Sequence, residues 1–457
     1  MSGAPFAAYS VEGCRARIRL RNDELNAVLR VLDPPQADAA APATAPLAGV
    51  PYVLKDTWDT ANIVTTGGSW RHRARVPSAS SHAHRALAGA GAVLLGKSNL
   101  CDLAFSVESD NHLRGPVRNP HDLLRTAGGS TGGGAAAVAD GLAAFDWGTD
   151  FGGSIRGPAA FCGIVGLRLS HAAWPVGAEH FPRIAPFFHD FCGMGPLTKN
   201  VQGARVVTHA VRSALRRPDA KQVAMDDRRV VIYAPDRAHE GEWPMFADDA
   251  IRLLDQAGIA CAITRTLPSA SIVNHLFTEY LAAHFEDFIA GDELPIRQAI
   301  PAVLLALASH GRFDKRVHRN TAMLFAGTAA LSLRYRSRER PARALAKLRA
   351  DLGAIWGRGT LVLTPTCTTR PPRHGRAAFA YRLMTFCKLG NLTDATGLAL
   401  PFGSYPARGP ERRWGRWSRD PAVSPPMPRS LQILGPPGSE DAVLDLAEVL
   451  ERAIAHS

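Results

Sequence analysis

Apolar residues follow strand-like and helix-like spacings in turn along the first half of the chain. A short apolar run at 49–54 predicts a buried strand that delivers Lys55, the spacing of 79–91 predicts a helix, and 92–95 predicts a second buried strand. This β–α–β rhythm is typical of α/β folds, in which helices pack on a sheet. The pattern therefore predicts an α/β architecture for this half of the chain.

The same pattern predicts a helical N-terminal segment and, further along, the elements around a glycine-rich stretch. Residues 11–33 carry apolar positions at helical spacing, as one helix or two short ones, and a Pro/Ala-rich linker follows at 34–48. We interpret 111–126 as loop, 131–141 as a helix of small residues, 142–147 as a strand and 149–154 as a glycine turn.

The alternation weakens after about residue 205. Strands predicted at 229–233 and 260–263 flank a helix at 245–257, and 270–350 is largely helical by pattern, with no chemical motif. Core-type segments return near the C-terminus, before a closing helix, at three places: 360–364, 390–403 and 431–438. We interpret the Pro/Arg/Trp-rich stretch 406–428 as a surface excursion.

Charge and cysteine usage exclude several classes of protein. The formal net charge is +12, but 46 of the 53 basic residues are Arg, spread along the chain without a recognisable nucleic-acid module, so no nucleic-acid partner is expected. The seven cysteines are scattered without a C-x-x-C pair, which favours reduced thiols in the cytoplasm over disulfides or a zinc site. No signal-peptide pattern or membrane-length apolar run is present, so no membrane association is expected.

Residues 150–154 of the predicted glycine turn suggest acyl chemistry. A serine hydroxyl needs a base to become a nucleophile, and an acyl substrate needs donors for the oxygen that becomes negative. In DFGGS, glycines allow successive backbone N–H groups to converge beside the hydroxyl of Ser154, as in an oxyanion hole. The alternative is a plain turn in which the Ser154 side chain only caps exposed backbone N–H groups.

Ser130 lies in a second glycine-rich segment, GGSTGGG at 128–134, immediately before the predicted small-residue helix. Helix capping or a phosphate cradle is one interpretation, although the P-loop lysine is absent. The segment also matches the G-x-S-x-G nucleophile elbow, but that motif requires a hydrophobic strand directly before it, and 119–127 is interpreted as loop. No histidine is singled out as a base, and no H-E-x-x-H pattern occurs.

Ordered blocks along most of the chain resemble the amidase signature family. They include GVPYVLKD around Lys55, RTAGGSTGGGAAAVADG, WGTDFGGSIRGPAAFCGIVGLR, LTPTC and LQILGPPGSED. The resemblance runs from about residue 20 to the end, except for roughly 205–355. It implies an amidase signature fold, a large mixed twisted β-sheet covered by helices on both faces. We expect one domain over 1–457, in four parts: an N-terminal helical segment and linker (1–48), a catalytic core (49–204), a variable, largely helical region (205–355) and a C-terminal return to the core sheet (356–457).

Carried onto this sequence, the resemblance implies a Ser–cis-Ser–Lys triad that cleaves amides. Ser154 would be the nucleophile, Ser130 the bridging serine on a cis peptide bond, and Lys55 the base. Burial would lower the pKa of the Lys55 amine, so that its neutral form takes a proton relayed through Ser130. The oxyanion hole would be formed by the backbone N–H groups of Phe151, Gly152, Gly153 and Ser154. Three neighbours would support the site: Thr131, Asp150 and Arg156.

Departures from the family pattern concern the substrate. The segment after Leu167 is closer to the branch that includes plant indole-acetamide hydrolases, and its aromatic residues suggest an apolar pocket for an acyl or aryl group; core packing is the alternative. The residues expected to line this pocket are Phe105, Ser106, Phe181 and Phe187. We therefore expect an amidase that uses a small-molecule amide, with no cofactor and no metal, and with homodimer formation left open. Alternatives are an acyltransferase with an amine acceptor and a glutaminase-type amidotransferase subunit.

Overall fold

The computed structural model describes most of the chain. The residues described are 5–172, 174, 180–183, 186–215, 230–234, 241–264, 267–284, 308, 317–335, 337–357, 359–376, 383–407, 412–413, 416–417 and 424–456. Within them, no helix is long and apolar enough to cross a membrane.

Strands and helices alternate through the described part of the first 215 residues, and helices dominate among the described residues between 246 and 356. The α-helices in chain order are α1 (Val11–Leu25), α2 (His82–Gly89), α3 (Gly132–Ala139), α4 (Arg156–Cys162), α5 (Val201–Ala214), α6 (Phe246–Gln256), α7 (Ala270–Ala283), α8 (Arg319–Ser332), α9 (Glu339–Trp356), α10 (Thr385–Leu392) and α11 (Glu440–Ala455). Three short 3₁₀ helices span Trp70–His72, Asp102–Ala104 and Pro186–Phe191.

The strands in chain order are β1 (Val28–Gln36), β2 (Pro51–Lys55), β3 (Val93–Ser98), β4 (Arg118–Asn119), β5 (Asp122–Thr126), β6 (Phe145–Asp150), β7 (Val165–Arg168), β8 (Gly193–Thr198), β9 (Val230–Ile232), β10 (Cys261–Ile263), β11 (Leu361–Pro365), β12 (Thr396–Tyr405), β13 (Arg412–Arg413), β14 (Arg416–Trp417) and β15 (Met427–Gly435).

Eleven of these strands form one large sheet in the order β1-β3-β2-β6-β8-β7-β12-β15-β11-β9-β10. Strand β2 runs parallel to both β3 and β6, and β9 runs parallel to β10 and β11, whereas the other neighbours are antiparallel. The predicted large mixed sheet is confirmed.

Two predicted segments differ from the structure. Residues 11–33 are not helical throughout, because Asn26 adopts a left-handed conformation (φ 55°) that ends α1, and β1 then pairs with β3 from Val28. Strand β1 extends to Gln36, so the linker predicted from residue 34 begins inside the strand; Pro34 and Pro35 lie where the pairing of β1 with β3 is interrupted. The loop predicted at 111–126 contains the hairpin of β4 and β5, which is separate from the large sheet.

Helices cover both faces of the sheet, as predicted. Side chains of successive strand residues point to opposite faces, and β2 follows this rule: Tyr52 and Leu54 belong to one buried cluster and Val53 to another. The first cluster contains residues of α2, α5, α6 and α11, and the second contains residues of α1, α3 and α4. By the same alternation Lys55 lies on the α3 and α4 face with Val53.

Helices α7, α9 and α10 form a third cluster at the other end of the sheet. Phe277 of α7, Leu348 of α9 and Leu389 of α10 pack there with Val362 of β11. Helix α8 contacts α7. The segment that carried no motif in the sequence is thus joined to the core through helix packing.

Candidate active site

The three residues expected to form the triad lie at the ends of different elements. Lys55 is the last residue of β2, Ser130 lies two residues before α3, and Ser154 lies in the turn between β6 and α4. Because β2 and β6 are neighbouring parallel strands, their carboxyl ends open on the same edge of the sheet. This geometry brings Lys55 and Ser154 to the same edge of the sheet. The segment before α3 places Ser130 there too, in contact with Lys55.

The amine of Lys55 is completely buried and has three oxygen neighbours. Its Nζ lies 2.7 Å from Ser130 Oγ, 2.9 Å from Thr149 Oγ1 and 3.2 Å from the carbonyl oxygen of Thr149. Burial lowers the pKa of Lys55 to about 8, since desolvation penalises the charged amine. Four groups that favour the charged amine partly oppose this shift: Cys101, Cys192, Asp146 and Asp150.

Ser130 is held in a tight segment, and the peptide bond between Gly129 and Ser130 is cis. A Cβ atom on Gly129 would lie 2.6 Å from the carbonyl oxygen of Ser106 and 2.7 Å from the backbone nitrogen of Glu108, so only glycine fits there. The hydroxyl of Ser109 donates to the Ser130 carbonyl at 3.1 Å. The backbone of Ser130 is therefore restrained on both sides, by the close packing around Gly129 and by the hydrogen bond to its own carbonyl.

The alternative interpretations of Ser130 are not supported by this geometry. Thr131, not Ser130, is the N-cap residue of α3, and it makes no side-chain capping bond. Strand β5, which precedes Ser130, pairs with β4 outside the large sheet, unlike the strand of a nucleophile elbow. Thr131 instead links the segment of Ser130 to the segment of Ser154. Its backbone N–H donates to the Ser154 carbonyl at 3.2 Å, and its hydroxyl donates to the Thr149 carbonyl at 3.3 Å.

The turn that carries Ser154 is organised around the carboxylate of Asp150. Oδ1 accepts from the Gly153 N–H at 2.8 Å, and Oδ2 accepts from the N–H groups of Ile155 and Arg156 at 3.1 and 3.2 Å. The guanidinium of Arg156 adds two bonds of 2.9 Å to the same carboxylate. Burial alone would raise the pKa of Asp150, but the charge and hydrogen bonds of Arg156 hold it below its usual value.

One of the four expected oxyanion donors has another partner. The N–H of Gly153 points at Asp150, so it is not available to a substrate oxygen. The N–H groups of Gly152 and Ser154 have no acceptor among the described residues, and both residues line a cavity, together with Phe151. The arrangement offers an anion site beside the Ser154 hydroxyl, which is itself without a hydrogen-bond partner in the described part of the chain.

Two residues that the sequence did not single out brace this turn from the C-terminal part. Asn391 on α10 accepts from Arg156 Nη2 at 2.8 Å, and Gln432 on β15 accepts from Arg156 Nη1 at 2.7 Å. Both side chains are fully buried. They come from the C-terminal blocks GNLTDATG and LQILG, which indicated membership of the core but not a contact with the turn.

A cavity of about 300 Å³ opens in front of Ser154. Phe105, Ser106 and Met384 contribute to its walls, and the rest comes mainly from two helices, α7 and α8, in the region that carried no motif. The helical residues that line it are Phe277, Thr278, Leu281, Met323, Leu324, Gly327, Thr328 and Leu331. Their spacing of three and four residues places them on one side of each helix. This periodicity was visible in the sequence, but nothing local connects it to Ser154.

The expected pocket residues divide between three places. Phe105 and Ser106 line the cavity. Phe181 is not among the lining residues; its ring packs edge-on against His72 and lies under the guanidinium of Arg75. Phe187 falls in a 3₁₀ helix, but its side chain lies outside the described residues.

Thr149 and His180 also belong to the site, although the sequence analysis assigned neither. Thr149 contacts Lys55 through two oxygens, and Nε2 of His180 lies 3.3 Å from the Thr149 hydroxyl oxygen. Thr149 is the first residue of the predicted glycine turn, which could have drawn attention to it; His180 lies in a segment without a motif. Among the described residues, no cluster of three or more His, Cys, Asp or Glu side chains could hold a metal ion.

Comparisons with known proteins show the family and the fold of the chain. The family model described as Amidase matches residues 10–444. A glutamyl-tRNA(Gln) amidotransferase subunit from Moorella thermoacetica is 30% identical over 91% of this chain and 85% of its own length. The crystal structure of the corresponding subunit from Thermotoga maritima superposes with a TM-score of 0.70 at 21% identity, covering 96% of this chain and 90% of the other. A 6-aminohexanoate cyclic dimer hydrolase gives a TM-score of 0.70 at 20% identity, covering 97% and 92%.

Proposed function

The chain belongs to the Amidase family and is an amide-hydrolysing enzyme, and on that premise we propose that it cleaves a carboxylic amide with an uncharged apolar or aryl acyl part, through an acyl-enzyme on Ser154. The contact that supports this proposal is the 2.7 Å distance between the buried amine of Lys55 and the hydroxyl of Ser130, beside the turn that carries Ser154. A base with a pKa of about 8 is neutral in a useful fraction of molecules near neutral pH.

In the proposed first half-reaction the Ser154 oxygen attacks the amide carbonyl carbon. Its proton passes to Ser130, whose own proton passes to Lys55. The oxygen that becomes negative is met by the backbone N–H groups of Gly152 and Ser154, and each such donor typically contributes on the order of 3 kcal/mol. The C–N bond then breaks, the proton returns from Lys55 through Ser130 to the leaving nitrogen, and the acyl group remains on Ser154.

In the second half-reaction water attacks the acyl-enzyme. The same relay takes the proton of water, the bond between carbonyl carbon and serine oxygen breaks, and the acid leaves while Ser154 regains its proton. The hydroxyls of Ser130 and Ser154 are not hydrogen-bonded to each other in the structure, and contacts of this kind commonly close only in the substrate complex.

The cavity supports an uncharged acyl part. None of the described residues that line it carries a charge. The hydroxyls of Thr278 and Thr328 donate to carbonyl groups of their own helices at 2.9 and 2.8 Å, so they offer no donor to a ligand. The nearby amine of Lys388 is hydrogen-bonded to Asn274 and lies 5.4 Å from the ring centre of Phe277, and burial lowers its pKa. A volume of about 300 Å³ is at the lower end of the range for small-molecule pockets.

A glutaminase-type subunit is the second candidate, because the relative from Moorella thermoacetica bears the name of an amidotransferase subunit. Glutamine carries an ammonium and a carboxylate, whose burial is costly without charged partners, and the apolar cavity walls therefore favour the first candidate. An amine in place of water as the acyl acceptor is a further variant of the same acyl-enzyme chemistry.

We further propose that the protein acts as one domain in the cytoplasm on a small molecule. All seven cysteines are free, which supports a reducing environment. The placement near the indole-acetamide hydrolase branch and the assembly state stay predictions from the sequence.

A fluorophosphonate probe tests the proposed nucleophile. We expect the label on Ser154, mapped by peptide mass spectrometry, and no label in the Ser154→Ala variant. Amides with apolar acyl groups should compete with the probe, whereas glutamine should not. A label on Ser130 would contradict the assignment of the nucleophile, and competition by glutamine alone would favour the glutaminase-type candidate. With a simple amine added, the ratio of amide product to acid product distinguishes the two activities: an acyltransferase forms mainly the amide at low amine concentration, whereas a hydrolase forms mainly the acid.

A further inference from the structure

We infer that His180 is a positioning residue that fixes the direction of the Thr149 hydroxyl and, through it, the orientation of the Lys55 amine. The His180 ring is buried and packs edge-on against Trp58, with 5.5 Å between ring centres. Within the described part of the chain, His180 forms no hydrogen bond with any of the three triad residues. The inference rests on the proposed role of Lys55 as the base.

The hydrogen bonds of His180 determine its tautomer. Nδ1 lies 2.7 Å from the carbonyl oxygen of Pro182, and a carbonyl can only accept, so Nδ1 carries the hydrogen. Desolvation by burial lowers the pKa of His180 to about 3, so the ring is neutral and Nε2 has a lone pair. Nε2 lies 3.3 Å from the Thr149 hydroxyl oxygen, and the only hydrogen available for that bond is the one on Thr149.

This direction determines what Thr149 can do for Lys55. With its hydrogen directed at His180, Oγ1 of Thr149 can only accept from the amine at 2.9 Å, and the Thr149 carbonyl accepts at 3.2 Å. A neutral amine has two N–H groups and one lone pair. Because both N–H groups point at Thr149, the lone pair is left for the third neighbour, the Ser130 hydroxyl at 2.7 Å.

The arrangement serves both protonation states of Lys55. The protonated amine has three N–H groups, and the same three oxygens of Thr149 and Ser130 accept them. A proton can therefore move between Ser130 and Lys55 without rotation of the amine. A buried general base needs surroundings that rearrange little during the proton transfer, and these three acceptors meet that requirement.

Loss of the His180 acceptor would remove this control. The Thr149 hydroxyl could then turn its hydrogen toward the lone pair of Lys55 and compete with Ser130. A hydrogen bond from Thr149 to the lone pair favours the neutral amine, and the charged amine loses a fixed acceptor, so the pKa of Lys55 falls further. In addition, the Lys55 amine is correctly oriented in a smaller fraction of molecules. The other titratable groups that act on Lys55 are unchanged by this substitution: Cys101, Cys192, Asp146 and Asp150.

The test is the pH dependence of fluorophosphonate labelling at Ser154, measured as a second-order rate constant. We expect His180→Phe to lower the plateau about tenfold or more and to move the midpoint of the acid limb to lower pH. His180→Gln should restore both, because its side-chain carbonyl can accept from Thr149. Combining His180→Phe with Thr149→Val should be no slower than Thr149→Val alone, since both changes remove the same bond.

His84→Phe is the matched control. The His84 ring is also buried, but it is hydrogen-bonded to the Tyr52 hydroxyl at 2.9 Å. Its loss should therefore reduce thermal stability without moving the midpoint of the acid limb.

An unchanged plateau and midpoint in His180→Phe, or full additivity with Thr149→Val, would overturn the inference. Lys55→Ala separates the two proposals. Normal labelling in that variant removes the base and this inference together, whereas lost labelling beside a normal His180→Phe removes the inference alone.

Discussion

Asn391 Nδ2 donates to Asp150 twice, to the carboxylate oxygen Oδ1 at 2.9 Å and to the backbone carbonyl at 3.0 Å. The two residues are far apart in the chain, and both are fully buried. Asp150 in turn accepts from the backbone of the turn that carries Ser154. The position of the proposed nucleophile thus depends on a helix from the C-terminal part of the chain.

The first prediction concerns the ion pair at the centre of this network. Asp150→Asn leaves the Arg156 guanidinium buried without a carboxylate, which should cost about 3–5 kcal/mol of unfolding free energy. Denaturant unfolding at neutral pH measures it. Glu339→Gln is the control, because its pair with Arg343 is about 80% exposed and should contribute less than about 1 kcal/mol. Equal effects of the two substitutions would contradict the central role of Asp150.

The second prediction concerns pH. The pKa of Lys55 is about 8, and the proposed base acts only when neutral. The rate of Ser154 labelling should therefore rise about tenfold per pH unit well below pH 8 and become constant above it. Lys55→Ala should be slower by orders of magnitude and without this limb. A rise of the labelling rate with the same midpoint pH in Lys55→Ala would assign this titration to another group.

The third prediction compares two adjacent glycines. Gly153 has φ +108°, and a Cβ there would lie 2.7 Å from the Cβ of Cys387, so Gly153→Ala should lose roughly 1–3 kcal/mol of stability and most activity. Among the described residues, a Cβ on Gly152 would meet only the Phe277 ring, at 3.4 Å. Gly152→Ala should keep near-normal thermal unfolding. Similar melting temperatures for the two variants would show that the turn adapts.

The fourth prediction concerns the width of the cavity. Gly327 lines it on α8, and a Cβ there would meet no atom of the described residues within 4 Å. Gly327→Leu should therefore fold, gain up to about 1 kcal/mol from helix propensity, and fill part of the cavity.

Anilides of increasing acyl size measure the effect of this substitution. We expect kcat/KM to fall about tenfold or more for arylpropanoyl anilides and to change little for acetyl anilides. Gly353→Leu on α9 is the control, because that glycine is helical and equally open but is not a lining residue. A uniform decrease for all acyl sizes would place the substrate elsewhere.

The sequence by itself determined the elements that local pattern controls. Apolar runs predicted the strand that ends at Lys55, and glycines marked the two segments that carry Ser130 and Ser154, because tight turns and close backbone approaches admit few other residues. The strands near 230 and 260 and the helix between them were also predicted correctly. The helix predicted through residue 33 was wrong, because sheet pairing of β1 with β3 outweighed the local helical spacing.

Only the tertiary structure decided what surrounds these residues. The cavity walls come from α7 and α8, and the contacts of His180 with Thr149 and of Asn391 with Asp150 join distant parts of the chain. The Gly153 N–H, expected as an oxyanion donor, turns to Asp150 because a buried carboxylate must be satisfied by nearby donors. Hydrogen-bond direction and cavity shape depend on which elements pack together, and single-chain periodicity carries no information about those pairings.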